Sequence, residues 1–387
     1  MHVPLMLLTW RKLLLLLVAG AGLLGWCYRI PQVSTFLLAA GFRRVFVQKS
    51  QPNFAELAPE WSRLGPLHAN RASPSRWMIT YHPWYHGFEP AAANRCLASG
   101  VSLGVGYLRA DIRWRDLMPN GYTVDENAWA WYQAYLSAAH DWYGLKILIV
   151  LSNAPREVIR WDQATRLAAW KHYVEEVTRR VGSLCQAYQI LNEPNNPVFR
   201  IFPVEEVPTA VVSASELIHR QDRRALTTIN ILVGLWGWRG VLENILRCAG
   251  SSVDVTSFDY YPGTWTLSPN ADWKVLIDLL TDARSNGKSL LHGRRFAILE
   301  TGYSTNFPIG RTEDAQVRYF LDFGRALNRL DAEAQPNGLL WLGIHELSDE
   351  ESRAFLDPEA HFGLLTSKSL DRKAGYTRLQ RIIALHP

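Results

Sequence analysis

From Trp77 to the C-terminus, short apolar runs rich in β-branched and aromatic residues alternate with amphipathic helical patterns. This alternation is typical of βα units that build a parallel sheet. The predicted strands are Trp77–Tyr81, Tyr107–Ile112, Lys146–Leu151, Tyr188–Leu191, Thr228–Val233, Val253–Phe258, Phe296–Leu299 and Leu339–Leu342. Helical patterns between them include Glu126–Trp142, Gln163–Val181, Glu205–Arg223, Trp273–Asn286 and Thr312–Leu330.

The number of predicted strands favours one closed architecture. Eight strands with intervening helices suit a (β/α)8 TIM barrel of the α/β class, whose usual length is roughly 250 residues plus insertions. A doubly wound sheet is the alternative. That fold expects a glycine-rich phosphate turn after the first strand, and the segment TYHPWYHGFEP at residues 80–90 contains none. We therefore predict the barrel.

The N-terminal segment predicts export. Arg11 and Lys12 precede residues 13–28, an uncharged stretch that is short for a membrane span and long for a buried helix. A small-x-small cleavage site is hard to place before Arg29, so we expect residues 1–29 to be a signal anchor or transmembrane segment. Residues 30–76 would be a linker and N-terminal extension, and residues 77–387 the catalytic barrel. The expected location is the inner membrane, facing the periplasm or cell surface, or the exterior after signal cleavage.

Charge and cysteine content exclude other classes. The net charge is +5 and the pI about 9.0, but no block of five like charges indicates a nucleic-acid arm. The four cysteines lack CxxC or Cys/His spacing, so neither a metal site nor a cofactor is expected. The chain is rich in aromatics, with 16 Trp, 15 Tyr and 14 Phe. Those rings suit either a large core or stacking platforms for sugars.

Polar side chains follow the predicted strands, and strand C-termini surround the active site of such a barrel. Glu193 and Glu300 end strands four and seven, which lie nearly opposite in an eight-strand ring. An isolated glutamate after a strand is usually a solvent-facing or helix-entry carboxylate. Two that converge can flank one bond, which is what glycoside cleavage requires. One must be protonated and the other ionised.

Three segments resemble glycoside hydrolase clan A. The strand-four signature of the clan is similar to YQILNEPNN at 188–196, and its strand-seven nucleophile segment is similar to FAILETGYST at 296–305. Its strand-two segment is similar to GVGYLRADIRW at 104–114. Families 5 and 39 are the most similar. The resemblance implies that Glu193 is the general acid/base and Glu300 the nucleophile of a retaining double displacement.

The resemblance also implies further substrate-binding and supporting roles. Asn192 would bind the sugar 2-hydroxyl, Arg109 would support the ionised nucleophile, and Tyr261 would contact it. Trp341 would be the platform on which the sugar stacks. Two positions depart from the clan pattern. Asp259 stands where a histidine is frequent, and Asn153 replaces a histidine that is common in family 5.

Other residues at the predicted barrel mouth are candidates on placement alone. His82 could contact sugar hydroxyls or be structural, and Trp84 and Trp236 are candidate stacking platforms. We also count Asn153 among the substrate-binding residues. Loop carboxylates such as Glu346 are interpreted as solvated.

The sequence therefore predicts a retaining O-glycosyl hydrolase that cleaves β-glycosidic bonds in a polysaccharide or oligosaccharide. We expect endo action and a link to an exopolysaccharide. A noncatalytic glycan-binding barrel and a transglycosylase are the alternatives. Inversion is a further possibility, which the separation of the two carboxyl groups distinguishes.

Overall fold

The computed structural model describes residues 52–68, 70–264, 272–306, 311–336, 338–350 and 358–387. The predicted anchor at 1–29 lies outside these residues, as does the first part of the predicted linker. None of the helices in the described ranges is long and apolar enough to cross a membrane.

Eight parallel strands close into one barrel in chain order, with β8 paired to β1. This confirms the predicted (β/α)8 architecture. The strands are β1 Trp77–Thr80, β2 Tyr107–Arg113, β3 Lys146–Ser152, β4 Cys185–Ile190, β5 Leu226–Leu232, β6 Val255–Asp259, β7 Arg295–Glu300 and β8 Leu339–Ile344.

Within the described ranges, eight longer helices follow the strands in turn. They are α1 Pro90–Leu103, α2 Glu126–Ser137, α3 Gln163–Val181, α4 Val207–Gln221, α5 Trp238–Ala249, α6 Lys274–Ser285, α7 Glu313–Glu333 and α8 Ala374–Leu385. Shorter turns are Phe54–Leu57, Ala58–Arg63, Pro83–His86, Trp114–Leu117, Ala138–Trp142, Arg156–Ile159, Gly182–Leu184, Gly250–Ser252 and Pro358–His361.

Local chemistry sets where several helices begin. The Asp125 carboxylate accepts hydrogen bonds from two backbone N–H groups of α2, and Asp162 and Thr312 each accept one from the first turn of α3 and α7. Such caps satisfy N–H groups that have no partner within the helix. Helix α3 has the predicted bounds. The predicted helix 126–142 instead ends at Ser137 and continues as the π-type turn Ala138–Trp142.

The described core has two main parts, besides a four-residue cluster around Tyr261. Helices pack their apolar faces on the outside of the barrel, and a smaller cluster fills its inside. That inner cluster consists of Met78, Leu148, Val150, Ala187, Val255, Ala297, Leu299 and Trp341. Inside the described part of the N-terminal extension, Phe54 and Trp61 are buried, and both contact Trp131 of α2. The extension from residue 52 therefore packs on the barrel.

The backbone is strained where β3 and β4 end. Asn153, Leu191 and Glu193 have φ angles of 57°, 65° and 40°, a region that residues with a Cβ rarely adopt. Each such residue costs on the order of 1–3 kcal/mol, and such strain concentrates at functional sites. Here it lies at the rim where the polar side chains converge.

Candidate active site

Glu193 and Glu300 converge at the C-terminal end of the barrel together with Asp259. One carboxylate oxygen from each of the three residues lies within 4.8 Å of the other two. All three are buried, with 4%, 0% and 4% of Glu193, Asp259 and Glu300 exposed. The barrel thus brings together two carboxyl groups that are 107 positions apart in sequence.

Both oxygens of Glu300 are held by donors. Oε1 lies 2.6 Å from Nη2 of Arg109. Oε2 accepts a hydrogen bond from the Tyr261 hydroxyl, and it lies 2.8 Å from Nδ1 of His345. Burial alone would raise the pKa of Glu300. The charges of Arg109 and His345 and these hydrogen bonds outweigh burial and hold that pKa well below its usual range. Glu300 is therefore ionised.

Glu193 has the opposite environment. Its Oε2 accepts one hydrogen bond, from Nδ2 of Asn196 at 2.7 Å. Its backbone N–H donates to Oδ1 of Asn230 at 2.9 Å, which fixes the turn after β4. Burial, and next the charge of Glu300, raise the pKa of Glu193 to about 8. A carboxyl group in this state holds a proton at neutral pH and can donate it.

Asn192 is oriented by three donors on its carbonyl oxygen. Oδ1 accepts from Nη2 of Arg109 at 3.0 Å and from the side-chain amides of Gln189 and Asn230, each at 2.9 Å. Because the oxygen is occupied on all sides by this barrel-wall network, the amide nitrogen is the group that Asn192 can offer to a ligand. Its role as a hydroxyl donor stays a prediction.

Asp259 is a buried acid beside the two glutamates. Its Oδ2 accepts a hydrogen bond from Nδ2 of Asn230. Burial, and then the charges of Glu300 and Glu193, raise the pKa of Asp259 well above its usual value. The raised pKa values of Glu193 and Asp259 disfavour their ionised forms, and Arg109 pairs with the ionised Glu300. The arrangement suits proton transfer better than binding of a metal cation, which prefers ionised oxygens.

His345 is a site residue that the sequence analysis missed. It follows β8, is 6% exposed, and contacts both Glu300 and the hydroxyl of Tyr261, the latter at 3.0 Å. Side chains along a strand alternate between faces, so Trp341, Gly343 and His345 share the inward face. That alternation was the signal that could have placed His345 at the mouth.

The same alternation corrects the interpretation of Trp341. Trp341 lies in the inner apolar cluster and is 2% exposed. Its ring packs against Tyr107, the first residue of β2, at 6.4 Å between centroids. The side chain is therefore toward the N-terminal end of the barrel, away from the carboxyl groups. The prediction that Trp341 is the sugar platform was wrong, because the aromatic residue is four positions too early in the strand for the mouth.

His82 lies at the mouth end of β1, where each of its ring nitrogens faces a carboxylate. Its Nδ1 pairs with Oε2 of Glu346, and its Nε2 lies 3.5 Å from Oδ2 of Asp111. Burial opposes the imidazolium, but Glu346 and Asp111 raise the pKa of His82 to about 9. Glu346 is only 1% exposed, so the interpretation of Glu346 as a solvated carboxylate was wrong.

The remaining candidates differ in exposure. Trp84 is half-buried, with its ring 4.4 Å from that of His82 and 4.1 Å from the guanidinium carbon of Arg113. Asn153 donates from Nδ2 to Ser152 Oγ at 2.9 Å and is partly exposed. Trp236, on the loop after β5, is 86% exposed. Trp236 is therefore the more accessible of the two tryptophan rings to a ligand.

The fold has clear counterparts among solved structures. No protein-family model matches the sequence, and no curated protein matches it by sequence. A GH5_18 protein from Bifidobacterium longum subsp. longum, in complex with Manβ1-4GlcNAc, superposes with a TM-score of 0.64 at 15% identity, over 81% of this chain and 78% of that one. A family 1 β-glucosidase from Thermotoga maritima gives 0.61 at 12% identity, over 82% and 99%.

The exo-β-1,4-mannosidase Op5Man5 from Opitutaceae bacterium strain TAV5 gives a TM-score of 0.60 at 14% identity, over 82% of this chain and 61% of that one. All three neighbours are named as glycoside hydrolases or belong to a family of them. These likenesses confirm the barrel fold that the alternating strand and helix patterns predicted.

Proposed function

We propose that this protein is a retaining β-glycosidase in which Glu300 is the nucleophile and Glu193 the general acid/base. The observation that carries the proposal is the pair of converging carboxyl groups whose surroundings drive their pKa values in opposite directions. Two such groups flanking one glycosidic bond can supply the proton and the nucleophile that its cleavage needs.

The first step uses both groups at once. An oxygen of Glu300 attacks the anomeric carbon while the bond from that carbon to the leaving oxygen breaks. The leaving oxygen takes the proton of Glu193. The products are a glycosyl ester on Glu300, an ionised Glu193 and the departing alcohol. Loss of the negative charge on Glu300 lets Glu193 ionise, because that charge is the second largest cause of its raised pKa.

The second step reverses the roles. Ionised Glu193 accepts a proton from water, whose oxygen bonds to the anomeric carbon as the ester bond to Glu300 breaks. The sugar is released with its original configuration, Glu300 is again a carboxylate, and Glu193 is again protonated. A sugar hydroxyl in place of water would give transglycosylation at the same site.

The carboxyl separation supports retention over inversion. Retaining enzymes hold their two carboxyl groups about 5–5.5 Å apart, and inverting enzymes about 6.5–9.5 Å apart, which leaves room for a water molecule. Here an oxygen of Glu193 lies within 4.8 Å of an oxygen of Glu300. This close approach supports the shorter separation, and with it retention.

We extend the proposal to the substrate and the location. Exposed Trp236, beside the mouth, supports binding of an extended glycan and therefore endo action on a polysaccharide or oligosaccharide. The apolar segment at 13–28 supports export with a membrane anchor, and its combination with a glycosidase site supports trimming of an exopolysaccharide.

The test is turnover by the wild type and two isosteric variants. A panel of β-linked polysaccharides and aryl β-mannosides and β-glucosides is incubated with the protein, and products are followed by mass spectrometry and anomeric proton NMR. We expect a first-formed β-anomer, and loss of turnover in Glu300→Gln and Glu193→Gln. A first-formed α-anomer would contradict retention, and binding without cleavage by the wild type would indicate the noncatalytic barrel.

A separate variant tests endo action. Trp236→Ala is expected to slow cleavage of the polymer and to leave cleavage of an aryl glycoside unchanged. Equal rates on the polymer for the variant and the wild type would rule out Trp236 as a remote sugar platform.

A further inference from the structure

The candidate nucleophile is joined to a second glutamate through one imidazole. Nδ1 of His345 lies 2.8 Å from Oε2 of Glu300, and Nε2 of His345 lies 3.4 Å from Oε1 of Glu359. Glu359 belongs to the short turn Pro358–His361, outside the barrel wall. Each ring nitrogen thus faces a carboxylate, and this arrangement favours the imidazolium with a proton on both nitrogens.

We infer that Glu359 is a positioning residue that acts through His345, as the counter-charge that keeps the imidazole protonated while Glu300 carries the glycosyl ester. This inference rests on the proposed function and adds a group that does not touch the sugar.

Titratable groups on four parts of the barrel face the ring of His345. Glu300 faces it from β7, the Tyr261 hydroxyl from the end of β6, and Glu359 from the turn after β8. From the end of β1, His82 faces it at 6.2 Å between ring centroids, with its own counter-charge in Glu346. The ring of Phe362 covers it edge-on at 4.8 Å.

Formation of the ester removes the charge of Glu300 and leaves two buried cations beside it. Arg109 keeps neutral acceptors, which are the side-chain oxygens of Thr80, Gln189 and Asn192. His345 keeps Glu359. Ionised Glu193 makes no ion pair with His345 within the described residues, so without Glu359 the imidazolium would be a desolvated cation with no paired carboxylate. That state is costly, and the ring would lose its proton.

The protonation of His345 is consistent with this role. Burial opposes the charged ring, yet the charge of Glu359, and after it the hydrogen bond to Glu300, raise the pKa of His345 well above its usual value. Glu359 is thus the largest of the contributions that favour the imidazolium.

The first experiment compares Glu359→Gln with the wild type on 2,4-dinitrophenyl β-mannoside and β-glucoside. This leaving group needs no proton from Glu193, so kcat reports on the second step, in which the ester bond to Glu300 breaks. We expect kcat to fall by roughly ten- to a hundredfold, the range seen when a group that orients an active-site ligand is removed. We also expect a new decline in kcat as pH rises through the ordinary histidine range, because His345 then loses its proton.

Two further variants separate charge from bulk. Glu359→Asp keeps the carboxylate and should recover most of the rate and the flat pH profile. Glu333→Gln makes the same change at the end of α7, where Glu333 pairs with Arg284 at 3.0 Å, and should match the wild type. A wild-type kcat and a flat profile in folded Glu359→Gln would overturn the inference.

A second measurement does not depend on how the variants fold. The ring nitrogens of His345 are observed by NMR in the wild type, before and after the ester is trapped with a 2-fluoro glycoside. We expect a doubly protonated ring at neutral pH in both states, and loss of the proton on trapping would overturn the inference. Failure of the proposed function looks different, because the wild type would then turn over no glycoside or Glu300→Gln would stay active.

Discussion

Arg109 and Glu300 form a buried ion pair within the barrel, with 2.6 Å between Nη2 and Oε1 and side chains that are 2% and 5% exposed. The guanidinium also donates from Nε to Oε1 of Gln189 at 2.8 Å and from Nη1 to Oγ1 of Thr80 at 3.2 Å. Strands β1, β2 and β4 therefore fix the direction from which Arg109 approaches Glu300, as well as its charge.

Arg109→Lys tests the approach direction of the guanidinium to Glu300 separately from its positive charge. Lysine keeps the positive charge but lacks the planar fork that reaches Gln189, Thr80 and Glu300 together. We expect kcat to fall about a hundredfold, since a small misplacement of a reacting group costs that much. The measurement is kcat on an aryl glycoside, with folding checked by circular dichroism. Unchanged kcat would mean that only the charge matters.

The pH dependence tests the acid role of Glu193. Because its pKa is raised to about 8, kcat/KM on a glycoside with a poor leaving group should fall as pH rises through about 8. Glu193→Gln should remove this decline and lower the rate roughly 10²–10⁴-fold. Dinitrophenyl glycosides, which leave without a proton, serve as the control. The same decline on those substrates would assign the titration to another group.

Asp259→Asn is expected to stabilise the protein at alkaline pH. The folded state raises the pKa of Asp259, so the folded protein keeps a proton that the unfolded chain loses above the ordinary value of 3.8. The contribution of Asp259 to the free energy of unfolding is therefore lost as pH rises toward its pKa in the folded state. Asparagine cannot ionise, so its advantage in Tm should grow as pH rises above 3.8, until the pH passes the folded pKa of Asp259. A Tm difference that does not change with pH would contradict this.

Trp341 should matter for stability. Replacing this buried ring with alanine leaves a cavity inside the barrel, and we expect a loss of about 3–5 kcal/mol in the free energy of unfolding. Trp236→Ala is the matched control, since a substitution at an exposed position changes stability by less than about 0.5 kcal/mol. Urea denaturation of both variants measures the difference. Equal stabilities would place Trp341 outside the core.

Sequence reasoning went furthest where local pattern and backbone geometry agree. The eight alternating runs predicted the barrel, and Gln163–Val181 was predicted to the residue. In the structure Asp162 caps the start of this helix and Gly182 follows its end. Glu193 and Glu300 could be found because each ends an apolar run, and the ends of parallel strands meet at one edge of the barrel.

Side-chain direction along the last strand was decided by tertiary structure. A strand side chain moves to the other face with each residue and about 3.3 Å further along with each step, so the residue type alone does not say whether it reaches the mouth. Trp341 therefore belongs to the core, while His345, four positions later, contacts Glu300.

By itself, the sequence determined where the strands lie along the chain and which two glutamates end strands four and seven, because both follow from local periodicity. Only the tertiary structure decided their charge states. Those depend on which groups from distant strands surround each carboxyl: Arg109, Tyr261 and His345 around Glu300, and little besides Asn196 and buried acids around Glu193. Burial and neighbouring charge act through space, and a linear chain does not contain those distances.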